Sequence, residues 1–164
     1  MSVLIITFAA WSGTGKTTYL EKLLPCLKGR GVRVGVLKHD GHGFEMDTPG
    51  TDTDRLARSG ADAVAICSPG GFAYLERKPV ELQEALRHFA GMDLVVTEGY
   101  KNGPFPKIAL YRKASGKPLA VPAENCLAIV SDAVLEVSCP VFPLDDPNPM
   151  AAFLADWLKH QKGD

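Results

Sequence analysis

Ala10-Trp11-Ser12-Gly13-Thr14-Gly15-Lys16-Thr17-Thr18 decides how this chain is read. The stretch fits the pattern G-x-x-x-x-G-K-[ST], with alanine in place of the first glycine. Glycines let the main chain curl into a concave row of N–H donors close to a polyphosphate. The Lys16 ammonium reaches the terminal phosphates as a point charge, and the Thr17 hydroxyl suits Mg²⁺. A helix opening at this point aims its positive N-terminus at the same anion. Ser12, Gly13, Thr14, Gly15, Lys16, Thr17 and Thr18 are therefore the candidate ligands of a purine triphosphate bound with Mg²⁺.

Such a loop is expected only between a strand and a helix. Upstream, Val3 to Phe8 is a continuous apolar, β-branched run, as in a strand buried on both faces. Downstream, Leu20, Leu23, Leu24 and Leu27 recur at helical spacing, so a helix begins near Lys16. Pro25 removes the bond to the Glu21 carbonyl, so a kink in the last turns is expected, and Gly29 and Gly31 end the helix.

Farther out, strands are expected at Val32 to Leu37, Ala63 to Cys67, Asp93 to Thr97, Leu127 to Val130, Val134 to Val137 and Val141-Phe142. Gly70-Gly71 turns into an extended piece, Phe72 to Glu76. Short helices are expected over 52–59 and after Pro79. Asn148 and Pro149 suit the N-cap and first position of a last helix with an apolar face of Met150, Phe153, Leu154, Trp157 and Leu158. Ile108 to Tyr111 and Leu119 to Val121 flank Ser115-Gly116 like a hairpin. Strands alternating with helices imply an α/β layered fold with a mainly parallel sheet. One domain over 1–164 is the simplest organisation.

The 164 residues suffice for one sizeable core. With 23% charged residues and a net charge of −1, no bulk field favours nucleic acid or an anionic membrane. Cys26, Cys67, Cys126 and Cys139 are scattered without a C-x-x-C pair, which points to a reducing compartment. No apolar run is long enough to span a bilayer, so a cytoplasmic setting is expected.

A P-loop needs a carboxylate at the end of a nearby buried strand to hold Mg²⁺ or poise a water. Two acids bracket Asp93 to Glu98. Ligands bind beyond the carboxyl ends of parallel strands, so Glu98 is the metal-side and catalytic candidate and Asp93 is a solvated or capping residue. A second loop, Lys38 to Asp47, follows the second strand. His39 and His42 with Glu45 or Asp47 fit no zinc signature. The better reading is a switch-like loop bringing Lys38 and His39 to an anion, with Asp47, Asp52 or Asp54 near Mg²⁺; the alternative is a merely solvated polar loop. No N-K-x-D guanine signature is present. Asp132 follows a buried strand where a carboxylate can accept from guanine N1–H and N2–H, or it is a turn residue. Lys101, Lys107, Arg112 and Lys113 surround the expected hairpin, either to hold an anionic substrate or to guard an exposed edge.

Several segments together resemble one family, the molybdopterin-guanine dinucleotide biosynthesis adapters, protein B (MobB). They are the loop above, Lys38-His39-Asp40-Gly41-His42-Gly43-Phe44, Asp47 to Thr53, Ser59-Gly60-Ala61, and Asp93 to Lys101 followed by Pro106-Lys107-Ile108. The likeness runs through most of 3–132. It implies a three-layer P-loop NTPase fold and a homodimer joined through extended sheet elements, which suits the 108–121 hairpin. It also implies GTP and Mg²⁺ as ligands and weak GTPase activity. The partner would be the enzyme that attaches GMP to molybdopterin. His39, His42, Lys101 and Lys107 would then face a pterin phosphate or that partner. Ala10 departs from the family's glycine by one methyl, and Trp11 either stacks on a ligand or covers the site. The rival is a small-metabolite kinase with Arg55, Arg58 or Arg77 over the phosphates, but no Arg-dense lid is visible.

Overall fold

The computed structural model describes residues 3–163. Its elements in chain order are β1 (Leu4–Ala9), α1 (Lys16–Gly29), β2 (Val34–Lys38), α2 (Asp52–Arg58), β3 (Ala63–Ser68) and β4 (Gly71–Glu76). Then come α3 (Leu82–Arg87), β5 (Leu94–Glu98), β6 (Lys107–Tyr111), β7 (Cys126–Ser131), β8 (Val141–Pro143) and α4 (Asn148–Lys162). The chain divides into two compact units, Met1–His39 with His88–Asp164, and Asp40–Arg87.

The first unit is built on a six-stranded sheet of order β2-β5-β1-β6-β7-β8, with every pairing parallel. Its centre is apolar on both faces, which is why β1, β5 and β7 read as unbroken hydrophobic runs rather than alternating ones. On one face Ile6, Phe8, Leu94, Val96, Ile108 and Val130 pack against Leu20, Leu23 and Leu27 of α1 and Met150, Leu154 and Leu158 of α4. Each such side chain contributes about 1.5–3 kcal/mol by leaving water. On the other face Ala9, Ala109, Ile129 and Val121 form a smaller cluster. There, too, Thr7 and Thr97 share a 2.7 Å hydroxyl hydrogen bond across β1 and β5, both fully buried.

Helix α1 continues through Pro25 and closes as a Schellman motif. Val32 N–H donates to the Leu27 carbonyl and Gly31 N–H to the Lys28 carbonyl. Helix α4 starts one residue early, with Pro147 at the cap and Asn148 within the helix. The Asp146 carboxylate accepts from Asn148 N.

Two expectations need correction. Ile108 to Tyr111 is no hairpin arm, because β6 is flanked by β1 on one side and β7 on the other. Leu119 to Val121 forms no strand, and Ser115 closes a 3₁₀ turn capped by Gly116. Ile108, Ala109 and Leu110 are at most 2% exposed. A run buried on both faces is a central strand, not an edge. The strand expected at Val134 to Val137 is likewise absent, and Val134 is 98% exposed.

The second unit holds the antiparallel pair β3–β4, in register from Ala63↔Glu76 to Ser68↔Gly71. Helix α2 precedes it, capped by Thr51, whose hydroxyl accepts from Asp54 N. Asp54 is buried within this unit, accepting from Gly50 N at 2.8 Å and Arg58 Nε at 2.7 Å. These bonds, the Gly50 amide first, hold its carboxyl below the usual range.

Candidate functional site

The loop after β1 has the geometry its glycines foretell. Gly13 has φ 79° and Gly15 φ 94°, a left-handed region that residues with a Cβ rarely enter. Gly15 caps α1, and Tyr19 N–H donates to its carbonyl at 2.9 Å. Gly15 is also tightly approached, since a Cβ there would lie 2.8 Å from an Arg112 Nη. Thr14 is buried, its hydroxyl donating to the Trp11 carbonyl at 2.7 Å. Ser12, Thr17 and Thr18 are exposed on the loop and the first turn.

Strand β5 lies beside β1, with Phe8 opposite Glu98. This register carries Glu98 to the loop, where its carboxylate forms an ion pair with the Lys16 ammonium. The two side chains are 15% and 19% exposed. The loop and Glu98 enclose a pocket of about 510 Å³. Its donor set is a hydroxyl and a carboxylate beside an ammonium and a row of amides, all hard oxygen or N–H groups. That chemistry fits a magnesium-bound polyphosphate. Asp93 stands at the opposite end of β5. It accepts from Lys162 Nζ and Arg33 N, which in that order hold its carboxyl below the usual range.

Asp132 follows β7. One of its oxygens accepts from Lys113 N at 2.7 Å. Asp132 also lines an open pocket of about 730 Å³ at the carboxyl ends of β7 and β8, with Lys22, Arg112, Ser131 and Asp145 among its walls. Arg112 touches both places, lining this pocket while its Nε donates to the Thr14 carbonyl at 2.8 Å.

Lys38 and His39 lie beside Glu98. Lys38 pairs with it in the β2–β5 register, and His39 N–H donates to the Glu98 carbonyl at 2.8 Å. The His39 ring packs on Tyr100, centroids 5.0 Å apart. Lys101 lies 4.7 Å above the Trp11 ring, and the Trp11 indole donates to the Pro118 carbonyl. Lys107 is turned to its own loop, donating to the carbonyls of Gly103 and Phe105. Lys101 and Lys107 thus do not guard an exposed edge, because β6 has none.

His42, Asp47 and Asp52 belong to the second unit. His42 N–H donates to Asp40, and Asp47 accepts from Thr48 N and the Thr51 hydroxyl. Two of the three arginines weighed for a kinase lid are engaged there as well, Arg58 with Asp54 and Arg55 with Asp52. Among the described residues no group of three or more His, Cys, Asp or Glu side chains could hold a metal ion.

Sequence reasoning missed Lys117, whose Nζ donates to the Ser12 carbonyl at 3.0 Å. It also misplaced Arg112 on a hairpin. The one signal for both was the strand order. Once β6 is known to flank β1, the segment leaving β6 has to pass the loop leaving β1.

A parallel sheet whose first strand runs through a glycine-rich loop into a helix, with a loop lysine facing an acid on the next strand, defines the P-loop class of α/β proteins. Comparison with known proteins narrows the class. The family model "Molybdopterin guanine dinucleotide synthesis protein B" matches residues 5–132, and the chain belongs to this family, MobB. A molybdopterin-guanine dinucleotide biosynthesis adapter protein of Escherichia coli is 34% identical over 97% of this chain and 95% of its own length. The adapter protein of the same name from Haemophilus influenzae is 35% identical over 97% and 92%. The crystal structure of Bacillus subtilis MobB superposes with a TM-score of 0.73 at 30% identity, covering 93% of this chain and 96% of that one.

Proposed function

We propose that this protein is a GTP-binding adapter that assists the attachment of GMP to molybdopterin in making the guanine dinucleotide form of the molybdenum cofactor. The observation that carries the reading is a phosphate loop with its lysine and acid in place, joined through Arg112 to a second pocket holding Asp132. Lys16 leaves Glu98 to serve the β- and γ-phosphates. Thr17 and Glu98 supply the oxygen ligands of Mg²⁺, which screens the charge on the phosphates. The free oxygen of Asp132 accepts from guanine N1–H and N2–H. Glu98 is the one acid lining the loop pocket and serves the metal, so GTP hydrolysis is weak at most.

Lys38, His39 and Lys101 on the first unit, and His42, Asp47 and Asp52 on the second, are the residues we assign to the GMP-transferring enzyme or to molybdopterin itself. Lys107 contributes by shaping the 103–106 turn. The setting is cytoplasmic, without nucleic acid or membrane as partner. No helix among the described residues is long and apolar enough to cross a membrane.

A calorimetric panel of GTP, GDP and ATP with Mg²⁺ tests the nucleotide. GTP is expected to bind at least tenfold more tightly than ATP, and Asp132→Asn to erase most of that margin, since a charged hydrogen bond contributes about 1.5–3 kcal/mol. A preference for ATP would sink the reading.

The homodimer is better served by β3–β4 than by residues 108–121, whose strand β6 is paired on both sides. An isolated two-stranded sheet is marginally stable, and this one exposes Ile66, Phe72 and Tyr74 at 59%, 72% and 51%. Pairing with a second copy along an open strand edge would flank that edge with apolar side chains on both faces, Ile66 on one and Phe72 and Tyr74 on the other. Phe72→Lys with Ile66→Lys is expected to shift a dimer to monomer in sedimentation. A dimer of unchanged affinity would assign the interface elsewhere.

A further inference from the structure

The segment from Arg112 to Pro118 leaves β6 and passes along the outside of the phosphate loop. Three of its groups hold that loop. Arg112 Nε donates to the Thr14 carbonyl at 2.8 Å, Lys117 Nζ to the Ser12 carbonyl at 3.0 Å, and the Pro118 carbonyl accepts from the Trp11 indole at 2.9 Å. The segment is itself fixed at its start. Lys113 N–H donates to Asp132, and the Ser115 hydroxyl donates to the Arg112 carbonyl at 2.7 Å.

The two cationic contacts have a directional consequence. A peptide unit is planar and trans, so its C=O and N–H point to opposite sides, and no peptide among the described residues is cis. The Ser12 carbonyl shares a plane with Gly13 N–H, and the Thr14 carbonyl with Gly15 N–H. Drawing both carbonyls outward to cations turns both amides away from the strap. Each cation also polarises its peptide unit and strengthens the partner N–H as a donor. Without such partners, glycines with φ 79° and 94° have the freedom to rotate these planes.

We infer that Arg112 and Lys117 are positioning residues for anion binding: by gripping the Thr14 and Ser12 carbonyls from outside, they preset the Gly15 and Gly13 amides toward polyphosphate. The inference rests on the phosphate-loop reading above and adds to it a charge-bearing strap from the end of β6, the strand next to β1. The grip acts on the phosphate end, so its loss has to weaken any polyphosphate, with or without a nucleoside attached.

The test compares Mg²⁺-GTP with Mg²⁺-tripolyphosphate by calorimetry on the full chain, alongside amide NMR shifts of the ligand-free protein. Arg112→Gln is expected to weaken both ligands by a similar factor, about tenfold to a hundredfold for a charged hydrogen bond. It should move the Gly13 and Gly15 amide resonances while leaving those of Thr7 and Thr97 in place. Lys117→Gln, at an exposed site, should act the same way more weakly, and carries the test if Arg112→Gln does not fold. Arg112→Lys should recover part of the affinity. Unchanged glycine resonances with unchanged affinities overturn the inference, as does loss of GTP binding with tripolyphosphate binding intact, which would make Arg112 a nucleoside contact. Failure of the unaltered protein to bind GTP would instead strike at the proposed function.

Discussion

Replacing Lys16 with alanine is expected to abolish nucleotide binding, with no measurable heat at GTP concentrations a hundredfold above those that saturate the unaltered protein. The argument starts from burial. The ammonium sits at the mouth of α1 with 15% of its side chain exposed, beside Glu98. Backbone amides carry partial charges only, and Lys16 is the one full positive charge among the residues lining the loop pocket. Removing one member of a partly buried charge pair costs about 2–5 kcal/mol, much of it from the charge left behind. Here two anionic groups, Glu98 and the polyphosphate, would meet without the one ammonium that lines the pocket, leaving Mg²⁺ alone to offset them, so the larger figure applies. The free protein should still fold, because the core of Ile6, Phe8 and Leu23 lies beneath the loop and does not include Lys16. Titration of the variant with affinity intact would remove Lys16 from the site.

Gly99→Ala is expected to cost about 2–4 kcal/mol of stability and to weaken metal-dependent nucleotide binding together with it. Gly99 has φ 101°, beyond the left-handed basin that other residues can occupy. An added Cβ would also lie 2.7 Å from the His39 carbonyl oxygen, a backbone atom. That atom belongs to the backbone of a residue held beside the turn by its N–H bond to the Glu98 carbonyl at 2.8 Å, so relief has to come from a backbone shift. Backbone strain of about 1–3 kcal/mol and overpacking of about 1–3 kcal/mol therefore act together, with some relief from relaxation. The turn that yields would carry Glu98 with it. Urea denaturation measures the first effect and calorimetry with Mg²⁺-GTP the second. A midpoint equal to that of the unaltered protein would show the turn to be compliant.

What could be read from the sequence was local. The strand, loop and helix around Lys16 are contiguous, and each carries its own periodicity or turn chemistry. The position of Glu98 at the loop edge of the sheet was legible because an apolar run ends on it and the carboxyl ends of parallel strands share one edge. The Gly70-Gly71 turn likewise announced β3 and β4. What escaped was made by contacts across long separations. Lys16 and Glu98 are 82 residues apart, Arg112 and Thr14 98, and Lys117 and Ser12 105. No window of sequence contains both partners of any of these. The misplacement of Ile108 to Tyr111 has a related cause. A short apolar run before a Ser-Gly turn fits a hairpin arm and a central parallel strand equally well, and only its neighbours decide.

The order of strands also dictates an order of events. β5 lies between β2 and β1, yet the whole Asp40–Arg87 unit is strung out before it in the chain. As the polypeptide emerges from a ribosome, β1 and β2 must therefore wait as unmatched neighbours of a vacant slot until β5 arrives to zip them together. The cradle of Lys16 and Glu98 cannot close before β5 is made, because the strand that bears Glu98 also joins β1 to β2.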